Sequence, residues 1–309
     1  MRVCTLRLKA TSIIGKISVI IVSLHDSPLL EESLRALEKQ EGDGDAEIIA
    51  VSCPQNGPAE HIKKEFSRVK FVQSSERLGI PQLRALGMSH ATRDIIAITE
   101  DCCIPRENWF EEIRKAHRQG YGAAGGAIEK GSSNTIVNWA VYLCEYSQAM
   151  PPIPAGEVAG IAGNNASYKR EVLERVDDTV RKDYWEFFLH EELRKQNVRF
   201  VSLPNMVVVK KKEFRFFYFL TQRFHYSRSF AAMRKTRIPA SRRIVSVLLS
   251  PLIPFLMIWR IAQQVHQKKR YYKEFLMSLP LLTIFLGSYA VGEFAGYLFG
   301  PGNSLRKVQ

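Results

Sequence analysis

The sequence predicts an α/β fold, a mainly parallel sheet flanked by helices and followed by C-terminal hydrophobic helices. Three observations carry this. Short β-branched apolar runs alternate with helical patterns four times between residues 17 and 99, and an acidic pair directly follows the fourth run. The composition then changes beyond Lys210. Residues 1–209 carry 26 basic and 28 acidic side chains, net −2, whereas residues 210–309 carry 18 basic and 3 acidic, net +15. A length of 309 residues suits one core of roughly 200 residues plus an accessory region. At 46% hydrophobic and 24% charged the chain is not a disordered one, and no self-similarity suggests a solenoid.

The elements follow in order. Residues 17–24 are nearly all apolar and β-branched, which predicts a strand buried on both faces. Leucines at 29, 30, 34 and 37 recur at helical spacing over 28–40, and the break at 42–45 ends that helix. Strands are expected at 47–52 and 69–73, with helices at 59–66 and 81–90. The fourth strand, 94–99, runs into Glu100 and Asp101. Such alternation implies βαβ units and a ligand beyond the carboxyl ends of the strands. A helix is expected at 109–119, Gly-rich and Pro-rich loops at 120–134 and 151–165, a helix at 184–196, and strands at 199–203 and 206–209.

Two apolar stretches dominate the tail. Residues 244–259 lack charge but contain Pro251 and Pro254, and residues 275–299 are interrupted by Pro280 and Glu293. A spanning helix needs about 20 apolar residues, so the second is long enough and the first marginal. Basic clusters lie before the pair (Arg234 to Arg243), between them (Arg260 to Lys273) and after them (Arg306, Lys307). Two simple crossings would place the middle cluster outside, against the positive-inside bias. A re-entrant hairpin or interfacial helices on the cytoplasmic face is therefore the expectation, with an anionic membrane surface as a partner. The five cysteines form no Cys-x-x-Cys pair, which points to a reducing compartment, and residues 1–16 contain no convincing leader.

Glu100 and Asp101 stand where an open α/β sheet binds ligand, and hard carboxylate oxygens suit Mg²⁺ or Mn²⁺ on a diphosphate. Five segments in order then resemble family 2 glycosyltransferases of the GT-A fold. These are the first strand Ser18 to Ser23, the helix Leu78 to Gly87, Glu100-Asp101-Cys102-Cys103-Ile104-Pro105, Gly163-Asn164-Asn165-Ala166-Ser167-Tyr168, and Gln222-Arg223-Phe224-His225-Tyr226. Trp185-Glu186-Phe187 occupies the place of the family's acidic motif.

The resemblance implies an inverting sugar transfer, in which a base deprotonates the acceptor hydroxyl and a cation stabilises the departing diphosphate. It assigns Glu186 as base, with Glu191 or Glu192 as substitutes. Donor contacts fall to Ser23, Ser52, Arg84, Glu100 and Asp101, acceptor contacts to Asn164, Asn165, Gln222 and Arg223, and the Mg²⁺ or Mn²⁺ to Asp101. Three positions depart from the pattern. Cys102 is a soft ligand where a carboxylate is usual, Ser52-Cys53-Pro54-Gln55 replaces the usual acidic turn, and Lys210 replaces a histidine and could neutralise a diphosphate directly.

The implied partners are a nucleotide-sugar donor and a lipid, lipid-linked or glycan acceptor, with no nucleic acid. The implied units are a catalytic domain over 1–212, a basic interfacial segment over 213–243 and a hydrophobic hairpin over 244–309, at the cytoplasmic face of the inner membrane. Two other classes fit less well. A nucleotidyltransferase would need a triphosphate loop near the first strand, and a non-catalytic sugar- or membrane-binding scaffold would account for Cys102 and the altered turn.

Overall fold

The computed structural model describes residues 15–23, 28–40, 46–54, 57–176 and 185–308. Most of the N-terminal segment read for a leader, the 42–45 break and Gln55 lie outside them. In the first half, Ile17–Ser23 (β1), Pro28–Glu38 (α1), Glu47–Ser52 (β2), Glu60–Glu65 (α2), Lys70–Gln73 (β3), Ile80–His90 (α3) and Ile95–Glu100 (β4) follow one another as expected. Cys103–Pro105 (β5), Trp109–Arg118 (α4), Ala123–Lys130 (β6), Ile136–Tyr146 (α5), Gly156–Glu157 (β7), Ala166–Lys169 (β8), Arg170–Glu174 (α6), Glu186–Lys195 (α7) and Phe200–Lys210 (β9) continue the body. The tail is helical: Phe216–Lys235 (α8), Ala240–Leu249 (α9), Ile253–Lys268 (α10) and Tyr272–Phe299 (α11).

The strands form one sheet in the order β3-β2-β1-β4-β8-β6-β9-β5, with β7 on β9. β3, β2, β1 and β4 are parallel, β8 runs antiparallel to both its neighbours, and β6 and β9 are parallel again. All seven residues of β1 are buried, because helices cover both faces. Ile20 and Val22 share one core with Ile96 and Ile98 of β4, Leu83 of α3, and Leu189 and Leu193 of α7. Ile17, Val19 and Ile21 face the other way, onto Leu30, Leu34 and Leu37 of α1 and Trp109, Phe110 and Ile113 of α4. This two-sided burial removes the polar alternation of a solvated strand, as a covered parallel sheet requires.

The expected loop at 120–134 is instead mostly β6, buried along Ala123 to Ile128. Its residues are small because neighbours press on them: a side chain at Gly126 would meet the Met206 carbonyl at 1.7 Å, and one at Gly125 would meet Ile161 at 2.4 Å. The register between β6 and β9 shifts at Gly126/Ala127, where β9 bulges. The loop at 151–165 holds the short β7, and α5 and β8 were not foreseen. α5 begins at Thr135, whose side chain accepts the Asn138 backbone N–H, an N-cap readable in the sequence.

A third core joins the tail to the body, with Val141 and Leu143 of α5, Phe219 of α8, Ile261 of α10, and Leu282 and Phe285 of α11. α8 and α11 run side by side at close range. A side chain at Gly292 would meet the Phe224 carbonyl at 2.4 Å, and one at Gly296 the Arg228 carbonyl at 2.4 Å. Small residues four apart let two backbones approach in this way. After α11 the chain returns to the body. Gln222 donates to the Lys307 carbonyl at 2.9 Å, Val308 is buried, and the Leu305 carbonyl lies where a side chain at Gly79 would be, 2.7 Å away. Gly292→Val is expected to pry α8 from α11 and destabilise the folded protein by about 1–3 kcal/mol, the usual cost of overpacking. A thermal melt of the full chain in detergent measures this, and an unchanged midpoint would refute the close packing.

Candidate active site

The acidic pair sits at the carboxyl edge of the parallel strands. Val22 and Glu100 are register partners, and the Asp101 N–H donates to the Val22 carbonyl at 3.1 Å, extending the β1–β4 pairing by one residue. Ser23 then donates its hydroxyl to Asp101 Oδ2 at 2.8 Å. α3 lies over β1 and β2, with Arg84 buried on its inner side. The guanidinium of Arg84 reaches in two directions: Nη2 donates to Glu100 Oε1 at 3.1 Å and Nη1 to Glu186 Oε2 at 3.0 Å. Glu186 is the first residue of α7. Gly163 makes room for this contact, since a side chain there would meet Arg84 Nη1 at 2.8 Å and the Glu186 carboxyl at 2.9 Å.

The far side of Glu100 is taken by Lys210. β5 pairs antiparallel with the end of β9, setting Cys103 opposite Lys210, and the Lys211 N–H donates to the Cys102 carbonyl at 2.8 Å. Lys210 Nζ donates to Glu100 Oε2 at 2.6 Å and lies 3.0 Å from Cys102 Sγ. Burial pushes the Glu100 carboxyl up, but Lys210 and Arg84 outweigh it and hold it down at about 2. It is therefore ionised at any physiological pH. Burial raises Asp101, with the Ser23 hydrogen bond and Lys210 acting against it. His190, bonded through Nε2 to the Tyr168 hydroxyl at 2.7 Å, is pulled down to about 3 by burial and stays neutral.

Arg84, Glu100, Asp101, Glu186, His190 and Lys210 line one cleft of about 1670 Å³, which begins at Val22, Glu100 and Asp101, passes Glu186, and continues to Met257, Ile261 and Gln264 of α10; Ser23 stands behind Asp101 and off this lining. Of the expected acceptor residues, Asn164, Gln222 and Arg223 line it. The Asn164 amide donates to the Tyr146 hydroxyl at 3.4 Å. Arg223 pairs with Glu145 at 2.5 Å and lies over the rings of Phe219 and Tyr226. Asn165 is a correction. It is fully buried, donates to the Ala127 and Met206 carbonyls at 2.9 Å each and accepts the Trp109 indole N–H at 2.8 Å, so its amide clips the core together. Ser52 is buried at the end of β2, with its carbonyl accepting the Ser74 N–H at 3.0 Å, away from the lining of the cleft. Neither Glu191 nor Glu192 lines the cleft, and Glu192 pairs with Lys195 at 3.2 Å.

Three further lining residues were not singled out by sequence: Glu145, Tyr226 and Lys212. The helical spacing after Thr135 would have placed Glu145 on α5 beside the tail. Among the described residues, the ligand atoms of Glu100, Cys102 and Cys103 cluster within 4.8 Å. They fit Mg²⁺ or Mn²⁺ poorly, because two of the three are thiols and both Glu100 oxygens already accept from cationic side chains.

The family model described as Glycosyl transferase family 2 matches residues 18–177. A comparison with curated proteins gives no match. Two of the solved structures similar to this chain illustrate the fold. The mannosyltransferase PcManGT from Pyrobaculum calidifontis, in complex with GDP-Man and Mn²⁺, is 15% identical, with a TM-score of 0.55 over 90% of this chain and 86% of that one. TarS 1-349 from S. aureus, in complex with UDP-GlcNAc, is 14% identical, with a TM-score of 0.50 over 65% of this chain and 59% of that one. With more than half of its length matched, a GT-A sheet and an acidic, arginine-bridged cleft at the sheet's carboxyl edge, the chain belongs to glycosyl transferase family 2 and is a nucleotide-sugar glycosyltransferase.

Proposed function

We propose that the chain is an inverting glycosyltransferase that passes a sugar from a nucleotide-diphosphate donor to a membrane-linked or glycan acceptor at the cytoplasmic face of the membrane. The observation that carries this reading is that Glu100 and Glu186 share the Arg84 guanidinium on the wall of one continuous cleft. The donor end lies at Asp101 and Ser23, and the acceptor enters past Asn164, Gln222 and Arg223. The Glu186 carboxylate takes the proton from the acceptor hydroxyl. The acceptor oxygen then bonds to the anomeric carbon on the face opposite the breaking bond to the diphosphate, which leaves with that electron pair. Arg84 holds Glu186 in one orientation, so the base is placed before the acceptor arrives. The family resemblance gives Mg²⁺ or Mn²⁺ to Asp101, but the donors around it fit such an ion poorly.

The membrane reading rests on the tail. Residues 240–268 and 272–299 are each long and apolar enough to cross a bilayer. Yet α11 buries Phe275, Ser278, Leu282, Phe285, Ala290, Glu293 and Gly296 at helical spacing along its whole length. A helix with one face against the body throughout lies along that body, and its outer face, with Leu276, Ile284, Val291 and Leu298, is left for lipid. Leu248, Phe255 and Trp259 of α9 and α10 are 70%, 72% and 62% exposed. The basic link between α10 and α11 also touches the body: Lys268 donates to the Ser147 and Gln148 carbonyls at 2.9 and 2.7 Å, and Arg270 to that of Pro151 at 3.1 Å. That link and the catalytic unit then share one side of the bilayer, which favours a hairpin over two crossings. In this reading residues 1–212 form the catalytic unit, 213–243 the interfacial segment and 244–309 the membrane hairpin.

Two measurements test these assignments. Glu186→Gln, which keeps an oxygen to accept from Arg84, is expected to lower kcat for nucleotide-sugar turnover by roughly 10²- to 10⁴-fold, the range of general-base catalysis, in a protein that still folds. A near-wild-type rate would remove Glu186 as base. Asp101→Asn, by weakening the donor end, is expected to depress the same rate. Replacing Leu248, Phe255 and Trp259 together by Glu is expected to abolish co-sedimentation with vesicles containing phosphatidylglycerol. Undiminished co-sedimentation would place the membrane contact elsewhere.

A further inference from the structure

We infer that Lys210 supplies, from within the chain, the positive charge that a divalent ion would otherwise bring to the departing diphosphate. The inference rests on the donor reading given above, in which the diphosphate lies at the Glu100–Asp101 end of the cleft. Its foundation is the position of one ammonium group. Lys210 Nζ is 2.6 Å from Glu100 Oε2 and 3.0 Å from Cys102 Sγ, two of the three atoms that would otherwise gather an ion. An ammonium seated there repels a divalent cation from the same few ångströms.

The remaining donors give such an ion little in return. Mg²⁺ and Mn²⁺ take oxygen ligands in a near-octahedral shell, whereas Cys102 and Cys103 offer sulfur. The other oxygen of Glu100 is held by Arg84 at 3.1 Å, and Asp101 accepts from Ser23 at 2.8 Å. Both oxygens of Glu100 and one oxygen of Asp101 therefore have protein partners that a metal would have to displace.

Backbone pairing fixes the ammonium as firmly as coordination would fix an ion. The β5–β9 register holds Lys210 opposite Cys103, and the Lys211 N–H to Cys102 carbonyl bond closes that pairing at 2.8 Å. Lys210 is 5% exposed yet borders the cleft, as do Arg84 and Lys212. An ammonium has three donors, of which Glu100 and Cys102 take two. The third is the one that a phosphate oxygen accepts. As the bond between the anomeric carbon and the diphosphate oxygen breaks, the electron pair moves onto that oxygen, and Lys210 stabilises it by hydrogen bonding without giving up its proton. Cys102 meets the lysine with a soft sulfur where the family pattern has a hard carboxylate oxygen.

The experiment uses the full chain in detergent and isothermal titration with ADP, CDP, GDP, UDP and dTDP, each in EDTA and again in Mn²⁺. For the nucleotide that binds, Kd in EDTA is expected to lie within about threefold of Kd in Mn²⁺, and Lys210→Ala to weaken binding in EDTA by about tenfold or more, the loss of one charge-assisted hydrogen bond. Lys210→Arg, which keeps the charge, is expected to retain most of the affinity. A gain of more than about threefold on adding Mn²⁺ to the wild type, or a folded Lys210→Ala that binds as well as wild type, overturns the role of Lys210 and leaves the transferase reading standing. Absence of binding by every nucleotide in both conditions overturns the donor reading and the inference together. Should Lys210→Ala fail to fold, the wild-type comparison between EDTA and Mn²⁺ decides by itself.

Discussion

The cleft depends on a single row of charges, the buried Arg84 and Lys210 with the half-buried Glu186 and Glu100, in which each link of Glu186–Arg84–Glu100–Lys210 is between 2.6 and 3.1 Å long. Its members come from α7, α3, β4 and β9, so the row fastens together elements separated by up to 110 residues. Arg84 and Lys210 are nearly inaccessible, and removing one partner from a buried ion pair typically costs about 3–5 kcal/mol because the other charge is stranded. Such a row is a poor source of net stability and a good source of geometry. It holds a carboxylate at each end of a guanidinium at a separation that solvent-exposed side chains would not keep.

What the sequence makes legible follows from how each element is buried. β1, β2 and β4 are covered on both faces, so they must be apolar and β-branched, and that pattern stands out. β6 is as deeply buried, but it carries Ala-Ala-Gly-Gly because Met206 and Ile161 press against it, and small residues read as a loop. The Glu100–Asp101 pair is legible because two acidic residues follow directly on an apolar, β-branched run. The bond between Lys210 and Glu100 is not, since it arises from an antiparallel β5–β9 pairing that no local pattern announces. Asn164 and Asn165 show the limit most plainly. Adjacent and chemically identical, they point to opposite environments: one borders the cleft, and the other is consumed by two carbonyls and an indole.

The division of charge along the chain, a net of −2 before Lys210 and +15 from there on, has its counterpart in space. The cationic excess serves two ends. Lys210, Lys212 and Arg223 point inward, where they border the cleft, while Arg260 and Lys268 border it on the side of α10. Much of the apolar content of the tail is likewise shared, with Phe219, Leu282 and Phe285 spent on a common core with α5 and the remainder left on the outer surface.

The return of the chain after α11 has a mechanical meaning. The helical region leaves the body at Lys210 and meets it again where Leu305 and Val308 lie against Gly79 at the start of α3, while Gln222 of α8 holds Lys307 in place beside them. A segment attached at one end can swing like a gate, whereas a beam clamped at both ends can only twist or bow. Any relative motion of body and tail is thereby confined to small torsions. Gly79 caps the helix that carries Arg84, so the far end of the chain closes against the very element that positions the guanidinium.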